Sequence, residues 1–209
     1  MALLEQLKWR AAIKNFDSTK KLTQQQLDEL LAAVQLSPSS AGLQPYRIIV
    51  VEDAGTRAKL REAAYGQAQI TDSSQLIIFA AETAVDETLV KTYIDLIADT
   101  RHLDREQLAG FENVIVGSIN TKTEEERVTW AQKQAYIALG VLSAAAAEMK
   151  IDTCSMEGFS PAAFDEILGL KAKGLTASVI AAVGFRSDED VYSKALKVRK
   201  PDAELFIRV

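Results

Sequence analysis

Basic residues with the right spacing to bind an anion lie near both ends of the chain. Arg10 and Lys14 are four residues apart, so on the helix predicted for residues 2–14 both side chains would lie on one face. Lys197 and Arg199 alternate along a segment predicted to be extended, which also places them on one side. Such pairs suit a phosphate group, because Arg presents several N–H donors in a fork. From these residues alone, an ordinary solvated surface is the favoured interpretation.

Two polar segments could contact the edge of a ligand. Pro38, Ser39 and Ser40 follow a predicted helix, and the backbone amides and hydroxyls of such a loop could meet polar ligand atoms. Gln67 and Gln69 each offer a donor and an acceptor, as recognition of a pyrimidine-like ring edge requires. Exposed loops without a ligand have the same composition, so the residues alone leave both interpretations open.

Residues 151–159 are predicted to form a strand that runs into a turn at Glu157-Gly158. Gly158 would allow a ligand to approach the backbone more closely than a side chain allows, although a surface turn beside a carboxylate explains the pair equally well. Cys154 is more typical of a core thiol than of a nucleophile. His102 has no recognisable Ser or Asp partner. We therefore assign no catalytic side chain.

Composition limits the classes of function. The 209 residues, 48% hydrophobic and 25% charged, are typical of a globular protein, and we predict one domain over residues 1–209. The net charge of -5 argues against nucleic acid as a partner. With one cysteine and one histidine, no internal disulfide can form and no metal site is predicted. A lone cysteine also indicates a reducing compartment.

Neither a membrane segment nor a leader is predicted. The longest apolar stretch, residues 135–147, is interrupted by Gly140 and Ser143 and is shorter than the roughly 20 residues that span a bilayer. The first residues carry no basic leader. We therefore expect a cytoplasmic protein without a membrane partner.

Hydrophobic periodicity predicts alternating helices and strands. Thr23 with Gln26 forms a capping box at the start of the second helix, and residues 204–209 have strand character but no hairpin partner. In a dimer, that last segment could pair with the other subunit's sheet. The later part of the helix over 124–149 is apolar on all sides, which predicts that it is fully enclosed. Helices are predicted over 2–14, 24–35, 53–64, 86–109 (one or two), 124–149 and 161–168, and strands over 46–51, 76–81, 151–154 and 177–184.

Four motifs, in this order along nearly the whole chain, resemble the flavin-binding pattern of the FMN-dependent nitroreductase family. The family's first motif is Arg-x-Ser-x-Arg/Lys followed by a Phe, and here Ala12 replaces the usual Ser. The resemblance implies an α+β fold with a mostly antiparallel central sheet flanked by helices, in an intertwined homodimer. The matching residues are Arg10 to Phe16, Pro38-Ser39-Ser40 with Gln44-Pro45, Glu157-Gly158, and Lys197-Val198-Arg199.

The resemblance also implies a role for each candidate residue. Arg10, Lys197 and Arg199 would hold the FMN phosphate, and Lys14 would approach the N1 and C2-carbonyl side of the isoalloxazine. A backbone amide at Glu157 or Gly158 would meet flavin N5. Gln67 and Gln69 would address the pyrimidine edge, and Ser39 and Ser40 would come from the partner subunit. The full set of cofactor-binding residues that we predict is Arg10, Ala11, Ala12, Lys14, Pro38, Ser39, Ser40, Gln67, Gln69, Met156, Glu157, Gly158, Lys197 and Arg199.

The function implied by the resemblance is transfer of a hydride from NADH or NADPH, through flavin N5, to a nitroaromatic, quinone or similar small acceptor. No catalytic side chain is needed, because the cofactor carries this chemistry. Two alternatives stay open. The same fold could carry out another flavin reaction, such as dehalogenation or flavin cleavage. A non-catalytic flavin-binding module is the other, because Ala12 lacks the family's hydroxyl and Phe111 is the only aromatic residue in 104–123.

Overall fold

The computed structural model describes residues 2–209, in which helices flank a four-stranded sheet. The capping box predicted from Thr23 and Gln26 is present at the start of the second helix. The strands are β1 (Tyr46–Val51), β2 (Gln75–Glu82), β3 (Asp152–Met156) and β4 (Leu175–Gly184). The helices are α1 (Ala2–Trp9), α2 (Gln24–Gln35), α3 (Ala54–Ala63), α4 (Gln69–Asp72), α5 (Glu87–Arg101), α6 (Ala109–Asn120), α7 (Glu124–Glu148), α8 (Pro161–Leu168) and α9 (Asp202–Leu205).

The strands follow the order β1-β2-β4-β3, and every neighbouring pair is antiparallel. Side chains alternate between the two faces of β2, so Ile77 and Phe79 pack with α2 and α7. Leu76 and Ile78 pack on the other face, with α3 and α8. Both central strands are therefore buried on both sides, which explains their continuous apolar sequences. The predicted α+β fold with an antiparallel sheet is confirmed.

Helix α7 is the longest helix and lies against the sheet. The prediction that its later part is enclosed on every side is wrong within one chain, because Tyr136 and Ile137 are 40% and 42% exposed. A sheet face and neighbouring helices cover only part of the circumference of a helix. None of the helices in residues 2–209 combines the length and apolar character needed to cross a membrane.

The first helix ends at Trp9, five residues earlier than predicted. Beyond it the chain is extended, and Ala12 forms a parallel bridge with Thr153 of the edge strand β3. The backbone N–H of Ile13 donates to the Thr153 carbonyl (3.2 Å). The prediction that Arg10 and Lys14 share a helix face is therefore wrong. Pairing with the open edge of β3 outweighs the helix propensity of the two alanines.

The carboxy-terminal segment does not form the predicted strand. Asp202–Leu205 is helix α9, and residues 206–209 have no regular structure. A strand needs a neighbour for its backbone hydrogen bonds, and the tail has none among the described residues of this chain. Helix α6 is an element that the sequence did not indicate, because Gly110 and Gly117 weaken the helical signal.

Candidate functional site

The extended segment beside β3 places Lys14 over the edge of the sheet. The Lys14 ammonium donates a hydrogen bond to the sulfur of Cys154 (3.3 Å), which is fully buried on β3. An ammonium has three hydrogens, so this bond leaves two for other acceptors. Within this segment, Ala11 packs against the core and Ala12 is exposed. The bridge to β3 thus fixes the position from which Lys14 acts.

Asp190 fixes the same segment from the other end of the chain. Its buried carboxylate accepts backbone hydrogen bonds from Lys14 (3.0 Å), Asn15 (3.1 Å) and Ser193 (2.7 Å). Burial alone would raise the pKa of Asp190, but these hydrogen bonds outweigh it and lower the pKa below its usual range. No local pattern indicated this role, because Asp190 lies in a run of acidic residues that is typical of an exposed loop.

An ion pair between Asp152 and Arg186 helps to position the end of α1. Buried Asp152 accepts hydrogen bonds from the backbone and the guanidinium of Arg186, and the same guanidinium lies 4.4 Å from the centre of the Trp9 ring. The Lys150 ammonium nitrogen lies 4.7 Å from the centre of the same ring. These cation–π contacts hold Trp9, and therefore the adjoining Arg10, against the sheet. No sequence motif indicated this arrangement.

Arg10, Lys197 and Arg199 lie close enough for their charges to interact, although Lys197 and Arg199 lie in an exposed irregular segment. Burial lowers the pKa of Arg10, and the positive charge of Arg199 lowers it further. Burial, Arg10 and Arg199 likewise lower the pKa of Lys197, whose ammonium donates to the Lys8 carbonyl. After burial, the second cause of each lowered pKa is repulsion between neighbouring cations. An anion bound among these three side chains would relieve that repulsion.

The Arg10 side chain also has an unused donor. Within residues 2–209, Arg10 Nε is one of three buried side-chain polar atoms without a hydrogen-bond partner. A buried donor without an acceptor costs about 1–3 kcal/mol, so such atoms often mark a missing ligand. The cations and this donor fit the phosphate of FMN, which offers negative charge and several acceptor oxygens.

The turn at Glu157-Gly158 follows β3 directly, and both residues are exposed. Gln67 Nε2 donates to the Gly158 carbonyl (2.6 Å), and the Tyr136 hydroxyl donates to Glu157 Oε1 (2.5 Å). Burial, followed by the hydrogen bond and charge of Glu157, raises the pKa of Tyr136 to about 12. A Cβ on Gly158 would lie 3.4 Å from Gln67 Nε2. That is an ordinary contact distance, and the backbone of Gly158 is not left-handed, so neither feature requires glycine at this position.

The Pro38–Ser40 loop is shaped by its own hydrogen bonds. Ser39 Oγ accepts from the Gln44 backbone (2.9 Å), and the Ser40 backbone donates to Gln134 Oε1 on α7 (2.8 Å). Ala41 and Gln44 have φ of 55° and 42°, which is uncommon for residues other than glycine and occurs often at functional sites. These bonds do not join the loop to the residues beside β3. Its contribution across a dimer interface stays a prediction.

Two further candidates are less accessible than the sequence implied. Met156 is 4% exposed and packs in the core, so only its backbone can line a site. Gln69 is 6% exposed at the start of α4. Among the predicted residues, the structure gathers Arg10, Lys14, Lys197 and Arg199 near β3 and joins Gln67 to Gly158.

Comparison with known proteins identifies the family of this chain. The profile of the nitroreductase family matches residues 7–185, and the chain belongs to the nitroreductase family. The family predicted from the four motifs is thereby confirmed. The oxygen-insensitive NAD(P)H nitroreductase of Enterobacter cloacae is 31% identical, with 92% of each chain covered. The major NAD(P)H-flavin oxidoreductase of Aliivibrio fischeri is 30% identical, with 95% of this chain and 94% of that protein covered.

Solved structures show the same fold. One is a protein of Exiguobacterium sibiricum that was crystallised in complex with FMN. It superposes with a TM-score of 0.87 at 19% identity, and the match covers 99% of this chain and 97% of that one. At this level of identity the likeness establishes the shared fold.

Proposed function

We propose that the protein is an FMN-dependent oxidoreductase that takes a hydride from NADH or NADPH and passes it to a small acceptor such as a nitroaromatic or a quinone. The observation that carries the proposal is that three cations, Arg10, Lys197 and Arg199, interact, and that Arg10 Nε is a buried donor without a partner. The segment that begins at Arg10 also carries Lys14, which contacts Cys154. Relatives that cover almost the whole chain are NAD(P)H nitroreductases and an NAD(P)H-flavin oxidoreductase.

Each group in this site has a distinct task. Arg10, Lys197 and Arg199 would bind the phosphate through charge-assisted hydrogen bonds. Bound FMN supplies the hydride-transfer chemistry, so the protein has to orient the ring and exclude competing reactions. Lys14, held by Cys154, would stabilise negative charge at the ring edge. The backbone of the Glu157-Gly158 turn would face the opposite part of the ring system.

Spectroscopy of the purified protein tests this function. FMN should remain bound through dialysis, and its yellow colour should bleach anaerobically with NADH or NADPH and return on addition of a nitroaromatic or a quinone. A flavin that binds but is reduced by neither nucleotide would support the non-catalytic module instead. Failure of the protein to bind FMN at all would refute the proposal.

We further propose that the working form is a homodimer in which each protomer completes the other's site with Ser39 and Ser40. Apolar side chains that are exposed in one chain support this. They occur on α1, on α7 and in residues 196–209, where Leu196, Val198 and Ile207 are each at least 87% exposed. Covering apolar surface contributes about 25 cal/mol per Å², so such residues favour association.

A cavity beside β1 offers a place for residues 205–209 of the partner subunit. Its volume is about 970 Å³, and it is bordered by the edge strand β1 together with α2 and α5. Residues 205–209 are exposed and mostly apolar. Four carboxylates (Asp28, Glu82, Asp95 and Asp99) and one guanidinium (Arg47, paired with Glu82) border the cavity, so Arg208 would meet a net negative charge there. A strand added to the free edge of β1 would satisfy its backbone groups.

Deletion of residues 205–209 tests the dimer. We expect the full chain to sediment as a stable dimer at micromolar concentration, and the deleted chain to dissociate at least tenfold more readily, because it lacks most of the apolar tail. The substitution Arg208→Ala is the milder control and should change dissociation less. A full-length chain that is monomeric and carries FMN would refute the proposal.

A further inference from the structure

Two side chains from distant parts of the fold converge on the turn at Glu157-Gly158. Gln67 lies between α3 and α4 and reaches the Gly158 carbonyl (2.6 Å). Tyr136 lies on α7 and reaches the Glu157 carboxylate (2.5 Å). One contact fixes the backbone of the turn and the other fixes its side chain. The two therefore restrain adjacent residues from different directions.

The hydrogens of Gln67 are fully used inside the protein. Its Nε2 carries two hydrogens, and it donates to the Ala64 carbonyl (3.0 Å) as well as to Gly158. The side chain can therefore accept a hydrogen bond from a ligand through Oε1, but it has no donor left to offer. Its amide connects the end of α3 to the turn. This differs from the sequence-based expectation that Gln67 presents both a donor and an acceptor to a ring edge.

The chain after the turn is anchored independently. The Ser160 backbone donates to the Ala63 carbonyl (2.9 Å), and the buried ring of Phe159 lies 4.5 Å from that of Phe164. On the other side, β3 ends at Met156 within the sheet. Glu157 and Gly158 thus form an exposed link between two fixed points. The hydrogen bonds from Gln67 and Tyr136 act on the part of the segment that packing leaves free.

We propose that Gln67 and Tyr136 are positioning residues that hold the Glu157-Gly158 backbone ready to receive the ring of the ligand. This rests on the proposed function, since the ring would be that of FMN. A turn that is already fixed does not have to be ordered when the ligand binds, which favours binding. Loss of either contact should loosen the turn and weaken ring binding, while the phosphate site stays intact.

The first test needs no flavin. Gln67→Met keeps the length of the side chain without its donors, and Tyr136→Phe removes the hydroxyl. The matched controls are Gln25→Met, at an exposed position on α2, and Tyr65→Phe, at an exposed position without a hydrogen bond from its hydroxyl among residues 2–209. We expect amide hydrogen exchange over residues 157–160 to become several-fold faster in the two test variants, and to be unchanged in the controls.

The second test compares FMN with riboflavin, which has the ring but no phosphate. Each test variant should bind both flavins about tenfold more weakly, which is about 1.4 kcal/mol. Arg199→Ala should weaken FMN binding and leave riboflavin binding unchanged. The double variant should lose less than the sum of the two single losses, because both contacts restrain one turn. If Gln67→Met does not fold, Gln67→Glu removes the same donors in a side chain of the same shape.

The outcomes separate the two proposals. Exchange and riboflavin affinity equal to wild type in both test variants would overturn the positioning role. A loss confined to FMN would also overturn it, because the contacts would then act on the phosphate end. If the wild-type protein binds neither flavin, the proposed function fails, and the exchange measurement still decides whether the two side chains hold the turn.

Discussion

Replacement of Arg10 with Met should stabilise the protein without FMN and weaken its binding of FMN. Among residues 2–209, the Arg10 side chain finds no hydrogen-bond acceptor, and its buried Nε lies beside the charges of Lys197 and Arg199. Met keeps the apolar stem of the side chain and removes the charge and the unused donors. The same guanidinium that costs stability in the free protein would bind the phosphate.

The size of each effect follows from these contacts. A buried donor without a partner costs about 1–3 kcal/mol, and we expect a gain of about 1 kcal/mol because Arg10 is only half-buried and solvent screens its charge. For a chain of this length, that is a rise in melting temperature of about 2–4 °C. Loss of a charge-assisted hydrogen bond to phosphate costs about 1.5–3 kcal/mol, which is roughly a tenfold to hundredfold loss of FMN affinity.

Thermal unfolding without FMN and titration with FMN measure the two effects, at equal protein concentration. Added salt screens repulsion between cations, so part of the stability gain should shrink between about 0.01 and 1 M salt, where the screening length falls from about 30 Å to 3 Å. Arg101→Met, at the exposed end of α5, is the control and should change neither quantity appreciably. A variant that is less stable than wild type, or that binds FMN equally well, would refute the reasoning.

Two further predictions concern the support and the charge of Lys14. Asp190→Asn should lower the free energy of unfolding at pH 7 by about 2–3 kcal/mol, because charge-assisted hydrogen bonds become neutral ones. Since the pKa of Asp190 is lowered by folding, the wild-type carboxylate stabilises the fold above the unfolded pKa and loses this effect as the pH falls through the folded pKa. Denaturant unfolding at pH 7 and below pH 4 should therefore show the variant and wild type converging in acid; an equal difference at both pH values would contradict this. Lys14→Met should still bind FMN through the phosphate site, but its two-electron midpoint potential should fall by on the order of 30 mV, equivalent to about 1.4 kcal/mol. An unchanged potential in fully FMN-loaded protein would place Lys14 away from the ring.

Local sequence signals predicted most of the regular structure. β1 was predicted with its observed bounds, because its β-branched run is typical of a strand wherever it lies. The capping box at Thr23 marked the start of α2, and Pro161 opened α8 as predicted. Such signals succeed because the residues that stabilise a helix end or a strand lie within a few positions of it.

Predictions failed where a distant partner competes with local preference. Residues 10–14 have the sequence of a helix, but the free edge of β3 offers them backbone hydrogen bonds instead. Residues 204–209 have the sequence of a strand, but they pair with no strand of this chain, and Asp202–Leu205 is helical instead. The conformation of both segments depends on what lies beside them in space.

The sequence by itself determined the family, the antiparallel α+β fold and the four motifs that carry the candidate site. Only the tertiary structure decided how these residues act together. The contact of Lys14 with Cys154 joins positions 140 residues apart, that of Lys14 with Asp190 joins positions 176 apart, and that of Gln67 with Gly158 joins positions 91 apart. Side-chain contacts over such separations are set by the packing of strands and helices, which no short stretch of sequence specifies.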